Sequence, residues 1–206
     1  MKKIMTFLFI LFLSTALFAL DGVVTATEGK VEILKNDVWV IVKKGDLVPE
    51  GSTINTGFKA SCTIKLGGSV IEIRQLSRVV LEQLEEQENT VVTKLYLDAG
   101  SLRNDVKPLK NKANDYKVQT AAVTSSVRGT QFEVWSNGNV SVYEGKVEVE
   151  DKAYHEIKMI TAGENYIYRD RELPDLDPGQ NGSHTNSDNA TYMSTQYSPS
   201  SQINLE

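Results

Sequence analysis

The sequence predicts an all-β fold: a single domain of many short strands with tight glycine corners, arranged as a β-solenoid-like roll or a sandwich. Three observations lead there. Between Gly22 and Tyr168 the chain is filled with short alternating runs such as "KVEIL", "VWVIV", "SCTIKL", "SVIEIR", "VVTKLYL", "YKVQT", "QFEVW", "NVSVY" and "KVEVE". Each is rich in Val, Ile, Thr or aromatics and is bounded by Gly, Asn, Asp or Ser, the pattern of half-buried strands. Stretches of helical period are missing, apart from a weak candidate at Val79–Asn89, "VVLEQLEEQEN", whose Glu-rich end fits a solvated hairpin at least as well. Finally, Gly29, Gly100 and Gly145 each interrupt residues that favour strand, which predicts bulges or sharp corners rather than free loops.

Taken in order, residues 1–19 have the layout of a secretory signal peptide. Two lysines precede an apolar run of about 15 residues, short of the roughly 20 a spanning helix needs. Cleavage is expected after Ala19, and the absence of cysteine at that junction argues against a lipoprotein anchor. No later segment is apolar enough to span a bilayer, so the mature chain is expected outside the cytoplasm: in the periplasm first, with the surface or the medium as alternatives. Residues 20–171 form the β domain. Within it "LGGS" (66–69) and "RQLS" (74–77) separate successive strands by a few residues, and the Asn-Gly pair in "SNGN" (136–139) marks a hairpin. "AYHEIKMI" and "ENYIY" are read as its last strands. Residues 172–206 carry few large aliphatics and many Ser, Asn, Thr and Gln, a composition too polar to offset ordering entropy, and are expected to be a disordered tail.

Glu-Gly-Lys-Val-Glu occurs at 28–32 and again at 144–148, with a fainter copy in "LDAGSLRN" at 97–104. Strand–glycine corner–strand units recur in any β coil, so this echo speaks for architecture, not activity.

Charge and side-chain chemistry exclude several functions. Without Lys2 and Lys3 the 22 basic residues fall to 20 against 27 acidic ones, a formal charge of −7, which argues against nucleic acid or anionic lipid as partner. Cys62 is the sole cysteine and shares an alternating face with Ile64 and Leu66, so it is read as a small buried side chain. The two histidines are His155, in a strand-like run, and His184, in the tail, which leaves a triad or metal cluster little to draw on. The glycines form no phosphate loop, and the acidic tail lacks the order of a calcium loop. Asp46 with Glu50, and Glu85 with Glu86, are carboxylate pairs of the kind that stay solvated on a β surface. No catalytic residue, metal ligand or cofactor is expected.

The stretch "YKVQTAAVTSSVRGTQFEVWSNGNVSVYEGKVEVED" resembles the signature of the FecR family: a Val-Arg-Gly-Thr-x-Phe core followed by a Glu-Gly-x-Val turn. The upstream "KKGDLVPEGSTINTGFKASCTIKLGGSVIEIRQLSRVVLE" resembles the same family through its Gly-Asp, Gly-x-x-Ile-x-Thr-Gly and Gly-Ser corners. The resemblance covers about Gly22–Asp151. "TAAV" at 120–123 departs from it, since the family often has proline after the threonine. The resemblance implies a β-rich extracytoplasmic sensing or interaction domain, and the side-chain chemistry above makes it non-enzymatic. Relatives that signal iron uptake add a cytoplasmic anti-sigma segment and one membrane span. This sequence shows neither, so only the domain carries over.

Read from its own chemistry, Arg128-Gly129-Thr130 is a corner. Gly129 is expected to supply a backbone conformation that resists Cβ, Thr130 to bond local backbone, and Arg128 to tie carbonyls or a carboxylate together. Phe132 begins the next inward face, and Gly145 is the turn of the second Glu-Gly-Lys-Val-Glu. The rival reading has Arg128 contacting a ligand or partner. Trp135 points opposite to Phe132 and Val134, and Trp39 shares its face with Ile41; these two and Arg128 are the candidate contact residues. The expected partner is an envelope protein, with a cell-wall glycan as the alternative.

Overall fold

The computed structural model describes residues 20–169, and the expected leader (1–19) and polar tail (172–206) lie outside the described residues. Alternation of the kind seen in the sequence forces one face of each strand inward, and two sheets share the task of covering the other's apolar face. The chain starts in a first sheet with β1 (Gly22–Glu28) and crosses to a second for the hairpin of β2 (Val31–Lys35) and β3 (Val38–Ile41). It returns to the first sheet for β4 (Leu47–Val48) and to the second for β5 (Thr53–Thr56). The hairpin of β6 (Ser61–Leu66) and β7 (Ser69–Ile73) lies in the first sheet, and that of β8 (Arg78–Glu86) and β9 (Thr90–Ala99) in the second. Then come β10 (Ser101–Val106) in the first sheet and the pair β11 (Ala113–Gln119) and β12 (Val123–Val127) in the second. Finally β13 (Thr130–Trp135) and β14 (Val140–Glu144) join the first sheet, β15 (Lys146–Asp151) and β16 (Ile157–Thr161) the second, and β17 (Asn165–Tyr166) the first.

The resulting orders are β17-β14-β13-β10-β7-β6-β1-β4 and β16-β15-β12-β11-β9-β8-β5-β2-β3. Both sheets therefore grow in the same direction as the chain shuttles between them, which joins the coil-like advance and the sandwich that the sequence left as alternatives. Among the described residues every pairing is antiparallel except β9 with β11. No helix of the described residues is long and apolar enough to cross a membrane. Val79–Asn89, the weak helix candidate, is strand β8 and the turn after it, consistent with its hairpin reading. The last strands run differently from the sequence reading. Lys152–Tyr154 form a turn, His155 follows at φ 55, and strand resumes only at Ile157. The Asp151 side chain accepts the amides of Ala153 and Tyr154, which explains why the segment turns despite its alternating pattern.

One core receives residues from both sheets. At its centre the Phe132 ring of the first sheet meets Tyr116 of the second edge-on, with centroids 6.5 Å apart and planes at 88°. The Tyr116 hydroxyl donates to Asn104 Oδ1 at 2.8 Å, and the Asn104 amide donates to Leu102 O, so the buried polar pair is satisfied across the sheets. Cys62 is buried in the same core, and burial pushes its thiol up to about 12.

The sheet-switching corners explain the repeated glycines. Gly29, Gly100 and Gly145 each lie where the chain leaves the first sheet for the second or returns, with φ of 65°, 80° and 83°. Each is also pressed against another corner. A Cβ on Gly29 would stand 2.9 Å from Lys59 O, one on Gly100 2.7 Å from Leu76 O, and one on Gly145 2.8 Å from Gly129 O. The echo in the sequence is thus a repeated solution to one problem: a left-handed turn with backbone at its back. Gly100→Ala is expected to cost more than about 3 kcal/mol in urea denaturation, because strain and a clash with backbone combine. Gly163→Ala has the same sign of φ, 87°, but open space around it; it should cost only about 1 kcal/mol.

Candidate functional site

The Arg128 corner, between β12 and β13, is built differently from its sequence reading. Gly129 does not have positive φ; it is needed because a Cβ there would lie 2.7 Å from Pro108 Cγ. Thr130 does not bond locally but donates from Oγ1 to Lys146 O at 2.9 Å, tying this corner to the one at Gly145. Arg128 is exposed, and its guanidinium forms no hydrogen bond or ion pair among the described residues, so it ties no carbonyls. Phe132 is fully buried. Trp135 is half-buried at the far end of β13 from Arg128, and Trp39 sits on the edge strand of the other sheet. The candidate contact residues are therefore not brought together.

What the fold does assemble is a polar outer face on the first sheet. Thr63, Glu72, Arg103, Glu133 and Ser141 stand in register across β6, β7, β10, β13 and β14. Alternation turns Glu133 away from the core, yet it is only 5% exposed because neighbouring side chains cover it. Ser101 Oγ donates to Glu133 Oε1 at 3.2 Å and the Tyr143 hydroxyl to Oε2 at 3.0 Å. Arg74 Nε lies 2.9 Å from Oε1 without aligning its N–H on it, so the contact is an ion pair rather than a linear hydrogen bond. The Arg103 guanidinium lies over the Tyr143 ring, 4.8 Å from its centroid. Burial holds the Tyr143 hydroxyl above its ordinary value of 10.0, reinforced by its hydrogen bond to Glu133 and that carboxylate's charge, and opposed by Arg103 and Arg74.

Beside this cluster is an open depression of about 690 Å³, lined by Glu28, Lys59, Glu72, Arg74, Gln75, Leu76, Ser101 and Trp135 among others. Two sheet-switching corners shape it, Gly57–Ala60 and Arg74–Ser77. Leu76 has φ 55° and Lys59 φ 52°, left-handed conformations that cost residues with a Cβ. The turn is held from several sides. Leu76 N–H donates to Gly57 O at 3.2 Å, Ser77 N–H to Thr56 Oγ1 at 3.0 Å, and Lys59 N–H to Gln75 Oε1 at 3.0 Å. Leu76 nevertheless presents its side chain to solvent at 59% exposure, and Phe58, next to Lys59, is 70% exposed.

Chemically the depression offers an indole, apolar tips, and charged groups of both signs. The carboxylates singled out from sequence are engaged elsewhere. Asp46 accepts the Lys43 amide, Glu50 accepts the Leu84 amide, and Glu85 accepts from Gln83 and Gln87 side chains. Glu133, Arg74 and Leu76 were not singled out by the sequence. Alternation marks Glu133 as outward, but nothing local says that it is covered, and leucine carries no signal for a left-handed turn.

Residues 52–148 match the FecR protein family. That stretch is similar to a FecR-type domain. The match spans the Leu76 and Gly100 corners, the Arg-Gly-Thr corner and Gly145, and leaves β1 to β4 outside. Two crystal structures of a candidate anti-sigma factor from Parabacteroides distasonis ATCC 8503, at 1.65 and 2.50 Å, are similar to 55% of the chain, with 18% identity and a TM-score of 0.46. The matched part is 52% of those chains, so this chain spans about half their length. No curated protein sequence matches the chain.

The Tyr143–Glu133 bond gives the matched region a pH signature. A raised tyrosine contributes stability that is intact below the ordinary value of 10.0 and is lost as pH rises through the folded-state value. Tyr143→Phe should therefore be about 1 kcal/mol less stable than the wild type at neutral pH, through the lost hydrogen bond. That gap should narrow above about pH 10. Urea midpoints of both proteins across this range check it; a gap that widens would contradict the bond.

Proposed function

We propose that the protein is a non-enzymatic FecR-like sensing module that works outside the cytoplasm, in the periplasm, and binds another protein through the depression at Leu76 and Trp135. Leu76 carries this reading. A bulky residue held left-handed costs about 1–2 kcal/mol, and an exposed side chain recovers little of that through burial. Strain of this kind, over-determined by its surroundings, is characteristic of functional surfaces. Trp and Arg around an apolar tip also match the composition of protein-interaction hot spots. The depression is preformed by two locked corners, so binding would order few side chains.

A cell-wall glycan is the second reading, favoured by one observation: the half-buried indole of Trp135 stands with the Gln75 amide and the Glu28 and Glu72 carboxylates around the same open depression.

The test uses the full chain as bait against a detergent extract of the native envelope and, separately, against purified wall polymer. A stoichiometric protein partner is expected, bound at least about tenfold more weakly by Leu76→Gly and unchanged by Arg128→Ala. Leu76→Gly should melt no lower than the wild type, because glycine relieves the left-handed strain. Full binding by Leu76→Gly would overturn the assignment of the surface. Retention by wall polymer alone, lost in Trp135→Ala, would establish the glycan reading instead.

A further inference from the structure

The edges of the two sheets are unequal. The first sheet ends in β4 and β17, each of two residues, too short to template a partner strand. The second ends on one side in β16, which carries Lys158 as a guard, and on the other in β3, Val38-Trp39-Val40-Ile41. β3 has no charge and no proline, and all its side chains are exposed, at 60%, 40%, 44% and 51%. Val40 stands directly opposite Ile33, which is 2% exposed. The inward face of the second sheet is therefore covered at β2 and bare at β3. An exposed apolar edge without charge or proline is what natural sheets ordinarily avoid unless something pairs with it.

The backbone specifies what kind of pairing fits. Val42 N–H donates to Val31 O at 2.9 Å, continuing the register Ile33↔Val40 and Lys35↔Val38. In an antiparallel ladder the groups alternate in direction, so Val38, Val40 and Val42 point theirs at β2, and Trp39 and Ile41 point theirs outward. Two copies of β3 can pair antiparallel about a two-fold axis only in registers that oppose these outward residues. One such register puts Trp39 against the partner's Ile41, each pair exchanging both N–H···O bonds, with Val40 facing Val40 on the axis. Just beyond the ends of this pairing it brings Asp37, in the β2–β3 turn at φ 63, toward the partner's Lys43. Sliding by one repeat either way moves one of these charges alongside the apolar strand instead of the opposite charge. Neither Asp37 nor Lys43 has an ion-pair partner among the described residues. The ladder stops at Lys43, whose N–H is already given to Asp46 Oδ2.

The geometry points to a second copy of this chain as the occupant of the β3 edge, joining the two nine-stranded sheets across a two-fold axis at Val40. The opposite charges at the two ends and the bare Val40, which would meet its own counterpart while Val38 meets the partner's Val42, select a second copy over an unrelated strand. The surface differs from the depression at Leu76 and lies outside the FecR match, so the inference stands independently of the function proposed above. A four-residue strand pair buries less than a standard stable interface, so the dimer is a weak one, dissociating in the micromolar range.

Sedimentation equilibrium of the full chain over about 1–500 μM tests it. Mass should rise to that of two chains and no further, and Val40→Lys, which places like charges on the axis, should hold it at one. Val40 is exposed, so far-ultraviolet circular dichroism of Val40→Lys should match the wild type. Register is read by mild oxidation: Val40→Cys should cross-link to itself, whereas Trp39→Cys should not, and Cys62 is buried and does not compete. A monomer at every concentration would overturn the proposal. So would cross-linking by Trp39→Cys in preference to Val40→Cys, or growth beyond two chains, which would signal β3 pairing with β16 of the next copy.

Discussion

Everything in this domain depends on pairs of backbone corners pressed against each other. A chain that shuttles between two sheets must reverse direction within a few residues, and at each reversal it exposes carbonyls and amides that need partners. The solution here is to stack one corner on another. Gly29 sits on Lys59-Ala60, Gly100 on Leu76-Ser77, and Gly145 on Gly129-Thr130. In each pair one member is a left-handed glycine, because a Cβ would fall on the partner's backbone. Side-chain hydroxyls close what the backbone cannot: Thr130 reaches Lys146 O, and Ser77 Oγ donates to Ser101 O and accepts the Ser101 amide.

The same constraint creates the surface assigned to recognition. Stacked corners are rigid, and rigidity lets one of them hold a leucine in a conformation that costs free energy. Glu133 is fixed from the other side. Once the Ser77–Ser101 bonds have set the start of β10, Ser101 points at the carboxylate, and Arg74, emerging from the neighbouring corner, meets it as counter-ion. An outward carboxylate that would otherwise be solvated becomes a buried one with three partners. The proposed binding surface and the folding constraint thus share residues at the depression, whereas the side chains of β3 are exposed.

The division between what the sequence disclosed and what it hid follows the range of the interactions. Alternation is local, so the strands, the inward set of Phe132 and Val134, the outward Trp135 and the buried Cys62 were all legible. The Glu-Gly-Lys-Val-Glu echo was legible as a corner because glycine between strand formers has few other uses. Interactions between distant segments were not. Gly129 is required by Pro108 and Thr130 by Lys146, and neither partner is near in sequence. His155 shows the opposite failure: its segment alternates like a strand, yet the Asp151 carboxylate captures two amides and turns it. Leu76 left no trace, since its conformation is imposed by Thr56, Gly57 and Gly100 from outside.

The central claim is that the Arg-Gly-Thr stretch is a corner locked against Gly145 and not a grip, and paired denaturation of Gly145→Ala and Arg128→Ala tests it most directly. Gly145→Ala should lower the unfolding free energy by about 3 kcal/mol or more, because its Cβ meets Gly129 O at φ 83°. Arg128→Ala should stay within about 0.5 kcal/mol of the wild type. A stable Gly145→Ala alongside a crippled Arg128→Ala would show that arginine, not the stacked backbone, holds the corner, and the account would fail.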